Sequence, residues 1–126
     1  MKYILIPLLA MVALPLSSAS ALTAKEARAC NAMAASFAPK KTEFEALSTQ
    51  RDKLVVEVED AGVVWDDAEA LRNFSAGHAE DADAKKAAYD DAVARFDGVE
   101  QAYRVTGAQL NEDFAAYNRK CVTDDD

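Results

Sequence analysis

The sequence contains few of the residues from which metal centres and hydrolytic active sites are usually built. It has two cysteines, Cys30 and Cys121, one histidine, His78, and four glycines among 126 residues. The cysteines stand far apart, so no CxxC pair, haem-attachment motif or Cys/His cluster is present. A single histidine without a glycine-rich nucleophile turn matches no catalytic-triad motif. We therefore predict a protein that is not an enzyme and that uses no cofactor and no metal.

Basic residues are also scarce relative to acidic ones. The chain has 14 Lys and Arg residues against 22 Asp and Glu residues, a net charge of −8. Such a charge repels phosphate groups, which argues against nucleic acids and anionic lipid surfaces as partners. The same charge permits a basic protein partner, whose identity the composition does not reveal.

The N-terminal stretch has the pattern of a secretory signal peptide. An apolar run at residues 3–16 follows a positively charged start, and residues 19–21 read Ala-Ser-Ala, a small-x-small cleavage site. The run is shorter than the ~20 residues of a membrane span, and two prolines interrupt it. We predict cleavage of residues 1–21, with an uncleaved anchor as the alternative. Cleavage leaves a single helical domain at 22–121, without membrane insertion, and an acidic tail at 122–126 that we expect to be disordered.

Export places the two cysteines in an oxidising compartment, periplasmic or secreted, where an even number of thiols favours a disulfide. The midpoint between Cys30 and Cys121 falls in the most turn-like stretch of the chain, residues 73–77. The bridge would therefore clamp the open end of an antiparallel helical hairpin. Closing so long a loop stabilises a fold by roughly 4–5 kcal/mol on the chain-entropy model. Free thiols or an intermolecular bridge are the alternatives.

Both flanks of this turn have a helical pattern. Alanine, the strongest helix former, supplies 27 of the 126 residues. Apolar residues recur at alternating steps of three and four, the pattern of a coiled-coil seam, with an expected slip near Thr106 and Gly107. The seam of the first arm comprises Phe44, Leu47, Leu54, Val58, Ala61, Trp65, Ala68 and either Leu71 or Arg72. That of the second comprises Ala82, Tyr89, Val93, Phe96, Val99, Tyr103, Leu110, Phe114, Tyr117 and Cys121.

Local signals predict where the first arm begins and where it is disturbed. Thr23 and Glu26 form a capping-box pattern at the start of an arm over about residues 23–73. Pro39 should kink or break this arm, because proline removes a backbone donor. A second capping-box pattern at Thr42 fits a helix that restarts after such a break.

The turn is predicted at about residues 74–78 and the second arm at about 79–121. Gly77 would end the first arm in a positive-φ conformation, as glycine commonly does at a helix C-terminus. Acidic residues next to the turn would complement the N-terminus of the second arm. These are Glu80, Asp81 and Asp83.

Pairing the cysteines fixes the register of the hairpin, which then makes specific predictions. Large side chains should oppose small ones where two large groups would clash, and the charge in the first seam should meet an opposite charge. The predicted pairs are Phe37 with Phe114, Phe44 with Gly107, Gly62 with Tyr89, and Arg51 with Glu100. The alternative is a compact bundle of three to five helices, broken at Pro39 and the glycines. A lone hairpin buries a single seam, so association into a homo-oligomer is a further possibility.

The best candidate site lies next to the turn, at Val63, Val64, Trp65 and Phe74. If Val63, Val64 or Phe74 faces outward, the hairpin tip would form a partner-binding patch, whereas Trp65 is more simply a seam residue. Tyrosines recur at 14-residue spacing in the second arm, and their simplest interpretation is that they pack between the helices. His78 and the neighbouring acids could suggest a metal site, but they lack the spacing of an EF-hand.

Three functional hypotheses follow. The first is an exported interaction or scaffold protein that binds a partner through a helical face or the hairpin tip. The second is a small-ligand or metal-binding protein that uses His78. The third is an inhibitor of a basic extracellular enzyme such as a lysozyme. Residues 109–117 resemble the Leu-Asn-x-x-aromatic helix of lysozyme-inhibitor-like exported helical proteins, and the resemblance covers these nine residues alone.

Overall fold

The chain folds into two long antiparallel α-helices. The computed structural model describes residues 22–122, so the predicted signal peptide and all but the first residue of the predicted acidic tail lie outside the described residues. Helix α1 spans Ala24–Leu71, a 3-10 turn spans Arg72–Phe74, and helix α2 spans Ala76–Cys121. No strand occurs between residues 22 and 122. The predicted all-α hairpin is thereby confirmed, and the compact bundle is not the fold of this chain.

Helix α1 begins with the capping box that the sequence predicts. Thr23 Oγ1 accepts a hydrogen bond from the Glu26 backbone N–H at 3.2 Å, and the Thr23 N–H donates to Glu26 Oε2 at 2.7 Å. These two bonds satisfy donors that a helix start otherwise leaves to water. The hydrogen bonds from Thr23 also lower the pKa of Glu26, because they favour its charged form.

Pro39 neither breaks α1 nor starts a new helix. The helix continues through Pro39, and Thr42 lies in its interior, where Thr42 Oγ1 donates to the Ala38 carbonyl at 3.0 Å. Of the two alternatives that the sequence left open at Pro39, the break with a restart at Thr42 does not occur. Proline leaves the Ala35 carbonyl without its usual donor, but Ala35 and Pro39 are exposed, so water can take that place. Packing of both flanks against α2 maintains the helix across this weak point.

The turn lies two to three residues earlier than predicted, at Arg72–Phe74 and Ser75, because a serine and not a glycine organises it. Ser75 has extended backbone dihedrals, and its Oγ accepts from the His78 backbone N–H at 3.2 Å, which caps α2. Helix α2 thus begins at Ala76, three residues before the predicted start. Gly77 lies in the first turn of α2, and no glycine in the described residues has positive φ, so its predicted helix-ending role is wrong. The predicted N-terminal acids lie beyond that first turn.

A disulfide joins Cys30 to Cys121 at the open end of the hairpin, as predicted. The S–S distance is 2.01 Å and the Cα atoms are 5.6 Å apart. Cys30 is buried, and Cys121 is the last residue of α2. The bridge therefore closes the end of the molecule opposite the turn.

The predicted register is confirmed by contacts along the seam. The rings of Phe37 and Phe114 lie with their centroids 4.4 Å apart near the disulfide. In the middle of the hairpin, Arg51 Nε donates to the carboxylate of Glu100. The Arg/Glu contact is the more specific test, because a helical repeat alone does not place opposite charges together.

The glycine positions agree with the same register. A Cβ on Gly107 would lie 2.9 Å from the ring of Phe44, and one on Gly62 would lie 3.4 Å from Tyr89. Helix α2 runs without interruption through Gly107. Gly107 is glycine because the ring of Phe44 occupies the space of its side chain.

The core is one thin seam between the helices. Its buried hydrophobic residues are Cys30, Leu54, Ala68, Ala82, Ala92 and Leu110. Aromatic side chains cover this seam from both arms; most are partly buried, and Phe114 is exposed. The hairpin therefore depends on a single layer of contacts and on its disulfide. Within residues 22–122, neither helix is long and apolar enough to cross a membrane.

Candidate functional site at the hairpin tip

The end of the hairpin is held in shape by Arg72. Its Nε donates to both carboxylate oxygens of Glu69 at 2.8 Å, and a terminal nitrogen donates to Asp83 Oδ1 at 2.7 Å. The hydrogen bond to Asp83, and after it those to Glu69, raise the pKa of Arg72 above its ordinary value. Arg72 thus links the end of α1 to the first turns of α2 and orients the residues between them.

Apolar side chains at this end face solvent. Phe74 is 76% exposed and Val63 is 62% exposed, and Val64 and Leu71 are exposed as well. We call Val63, Val64, Leu71 and Phe74 the tip patch. Three of its members are residues that the sequence nominated for partner binding. The sequence predicts a binding patch on the condition that these residues face outward, and all three do.

Leu71 is the member that sequence reasoning placed elsewhere. The seam pattern allowed either Leu71 or Arg72 after Ala68. The structure places Arg72 against the seam, half-buried, and leaves Leu71 exposed. Counting seven residues from Trp65 leads to Arg72, so a strict heptad would have assigned Leu71 to the surface.

Trp65 belongs to the seam. Its ring stacks on Tyr89 with centroids 5.3 Å apart, and Lys86 Nζ lies 5.5 Å from the ring centroid. The indole Nε1 is buried and has no hydrogen-bond partner in the described part of the chain. Of the four nominated residues, Trp65 therefore contributes to packing below the tip patch, while the other three form its surface.

The surface around the tip patch is acidic. Between Leu54 and Leu71 the chain contains six acidic residues and no basic residue. Glu57 pairs with Arg95 and Glu69 pairs with Arg72, each at 2.8 Å. The other four are exposed and form no ion pair with any residue in 22–122. They are Glu59, Asp60, Asp66 and Asp67.

His78 lies beside the tip patch without forming a metal site. Its Nδ1 is 2.8 Å from Ser75 Oγ, and its ring centroid is 6.2 Å from that of Phe74. No group of three or more His, Cys, Asp or Glu side chains in residues 22–122 is placed to hold a metal ion. The local contacts of His78 are those of a helix start, which does not favour the metal-binding hypothesis.

The tyrosines of α2 pack on aromatic residues of α1. Tyr103 stacks on Phe44 with centroids 4.6 Å apart, and Tyr117 meets Phe37 edge-on at 5.5 Å. With Tyr89 on Trp65, these pairs form three aromatic layers across the seam. The tyrosines therefore serve the fold, as the simpler interpretation of their spacing predicts.

A surface depression lies beside the disulfide at the open end. This depression, of about 420 Å³, is lined by Glu26, Ala29, Cys30, Met33 and Lys120. It brings together one carboxylate and one ammonium group among apolar atoms, without a nucleophile or a histidine. The tip patch therefore remains the strongest candidate site. In comparisons with known proteins, the chain matches no protein-family model, no curated protein sequence and no solved structure.

Proposed function

We propose that this protein is an exported, non-enzymatic interaction protein that binds a partner protein through the tip of its helical hairpin. The observation that carries the proposal is the tip patch, in which Phe74 is 76% exposed at a turn between two helices. Large apolar side chains grouped on a soluble surface are typical of protein-binding sites. The Cys30–Cys121 disulfide supports the export of the protein, to the periplasm or beyond the cell.

The architecture suits presentation of a binding site at a distance. Helix α1 has 48 residues and is therefore roughly 70 Å long, which separates the tip patch from the disulfide by most of that length. The tip patch lies outside the seam, so a partner could cover it without displacing a side chain that the fold needs. Arg72 holds the turn in one geometry, which lowers the entropy lost on binding.

Substitution of the tip patch tests this proposal. We expect Phe74→Ala combined with Val64→Ala to abolish crosslinked capture of a defined envelope protein, while the melting temperature changes little. The matched control is Val105→Ala, which removes an equally apolar side chain that is 50% exposed on α2. Capture that is equal for the double variant and the wild type would refute binding at the tip.

A second candidate is inhibition of a basic extracellular enzyme such as a lysozyme. Its support is the set of four acidic side chains near the tip that pair with nothing in residues 22–122. A cell-wall lysis assay at increasing salt tests it. Inhibition that weakens steeply with ionic strength supports this candidate, because exposed charges are screened within ~10 Å at 0.1 M salt. Full lysis at low salt with excess protein would exclude it.

A further inference from the structure

The face of α1 that points away from α2 carries an unusual column of residues. Thr42, Thr49, Val56 and Val63 follow one another at seven-residue intervals, all exposed, with Val56 at 55% and Val63 at 62%. We call these four residues the outer stripe. In a two-helix coiled coil, the position farthest from the seam is usually charged or strongly polar. Here it is occupied by β-branched, uncharged side chains over about 32 Å of helix.

The two threonines present methyl groups rather than hydroxyls to a partner. Thr42 Oγ1 donates to the Ala38 carbonyl and Thr49 Oγ1 donates to the Glu45 carbonyl, both at 3.0 Å. Their hydroxyls are thus satisfied within the helix. Since β-branched side chains are stiff at χ1, the outer stripe would lose little side-chain entropy when a partner packs against it. The outer stripe therefore forms a ridge of four separate apolar contact points, spaced about 10 Å apart along the helix.

Acidic residues border this ridge on both sides. On one side they recur at the same seven-residue interval, at Glu45, Asp52, Glu59 and Asp66. On the other side lie Asp60 and Asp67, preceded by Lys53. Glu59, Asp60, Asp66 and Asp67 make no ion pair with any residue in 22–122, and Lys41 reaches Glu45 only at 3.7 Å. The combination is an apolar ridge with acidic margins. Asp52 pairs with Arg51 at 3.5 Å, whereas the four margin acids nearest the tip have no ion-pair partner within residues 22–122.

We infer that the outer stripe is a docking site for a cationic amphipathic helix of a partner protein, laid along α1. Apolar side chains at heptad spacing would pack on the four methyl-bearing residues, and Lys or Arg side chains would pair with the acidic margins. A second copy of this chain fits poorly, because its net charge is −8 and it would bring acid against acid. The inference deepens the proposed function by naming the chemistry of the partner, and Val63 joins the outer stripe to the tip patch.

Binding of a designed peptide to the disulfide-bonded mature chain tests the inference directly. The probe is a synthetic helix of about 21 residues, three heptads, with leucines along one face and lysines on both margins. We expect saturable binding that weakens as salt is raised. The double variant Val56→Ser with Val63→Ser should bind at least tenfold more weakly, and Val105→Ser should bind like the wild type. Glu59→Gln with Asp66→Asn should weaken binding and flatten its salt dependence.

Three outcomes would overturn the inference. One is binding no tighter than about 1 mM for the peptide. Another is a lack of specificity. It would appear as equal binding by the wild type and the Val56/Val63 variant, or as equal binding of a scrambled peptide of the same composition. The third is a wild-type protein that sediments as a dimer while the Val56/Val63 variant sediments as a monomer. That result would show that a second copy of the chain occupies the stripe. Phe74→Ala should leave peptide binding intact, so failure at the outer stripe and failure of the tip proposal are distinguishable.

Discussion

The ring of Phe44 lies directly against the backbone of Gly107, so that a Cβ on Gly107 would be 2.9 Å from Phe44 Cε2. This contact joins the middle of α1 to the middle of α2. The ring of Tyr103 stacks on the same Phe44 ring. Closely packed helices interdigitate by placing a large side chain of one helix against a small residue of the other. The glycine therefore has a packing role despite its cost in a helix.

Replacing the helical glycines should have opposite effects at two positions. We expect Gly107→Ala to destabilise the protein by about 1–2 kcal/mol, because overpacking against Phe44 outweighs the better helix propensity of alanine. Gly98 has no atom near its missing Cβ, so Gly98→Ala should stabilise by about 0.5–1 kcal/mol. Thermal and urea unfolding measure both. A stabilised Gly107→Ala variant would contradict the close packing.

Stability should fall as pH drops through the acidic range, in part because of Glu100. The hydrogen bond from Arg51, then that from Arg104, lowers the pKa of Glu100 below its ordinary 4.5. A depressed native pKa stabilises the fold fully above the unfolded value, and this contribution is lost as pH falls through the native pKa. Glu100→Gln should therefore show a shallower loss of melting temperature below pH 4.5 than the wild type. Identical profiles for the two proteins would refute the role of the pair.

Reduction of the disulfide should loosen the open end first. On the chain-entropy model, loss of so long a covalent loop costs roughly 4–5 kcal/mol, a large share of the stability of a small fold. We expect a markedly lower melting temperature and faster amide hydrogen exchange around Cys30 and Cys121 than near the turn. Reductant should have no effect on a variant with both cysteines replaced by serine. Unchanged melting after complete reduction would show that the seam alone sustains the hairpin.

The start of α2 should depend on Ser75. Ser75→Ala removes the acceptor for the His78 N–H and should cost about 1 kcal/mol, whereas Ser75→Asp should retain most of the stability. Chemical denaturation compares the two variants. Equal losses for alanine and aspartate would mean that the cap contributes little.

Much of the fold could be predicted from the sequence because its signals are long-range and agree with one another. Two cysteines with a turn at their midpoint and two heptad patterns leave one register, which Arg51 and Glu100 then test independently. The candidate site was predicted in part. Val63, Val64 and Phe74 were nominated by their position beside the turn, but their pattern did not show which of them face solvent.

The sequence by itself determined the helical class and, once the two cysteines are paired, the register of a hairpin, because these depend on periodicity and on the covalent link. The choice of the hairpin over a compact bundle was made by the tertiary structure. The tertiary structure decided that α1 passes Pro39 unbroken, that Ser75 rather than Gly77 sets the turn, and that Leu71 lies outside the seam. Proline, glycine and capping patterns act over a few residues, with energies of about 1–3 kcal/mol each. Packing along two helices of 48 and 46 residues outweighs such local preferences, and it also turns the outer stripe of α1 to solvent.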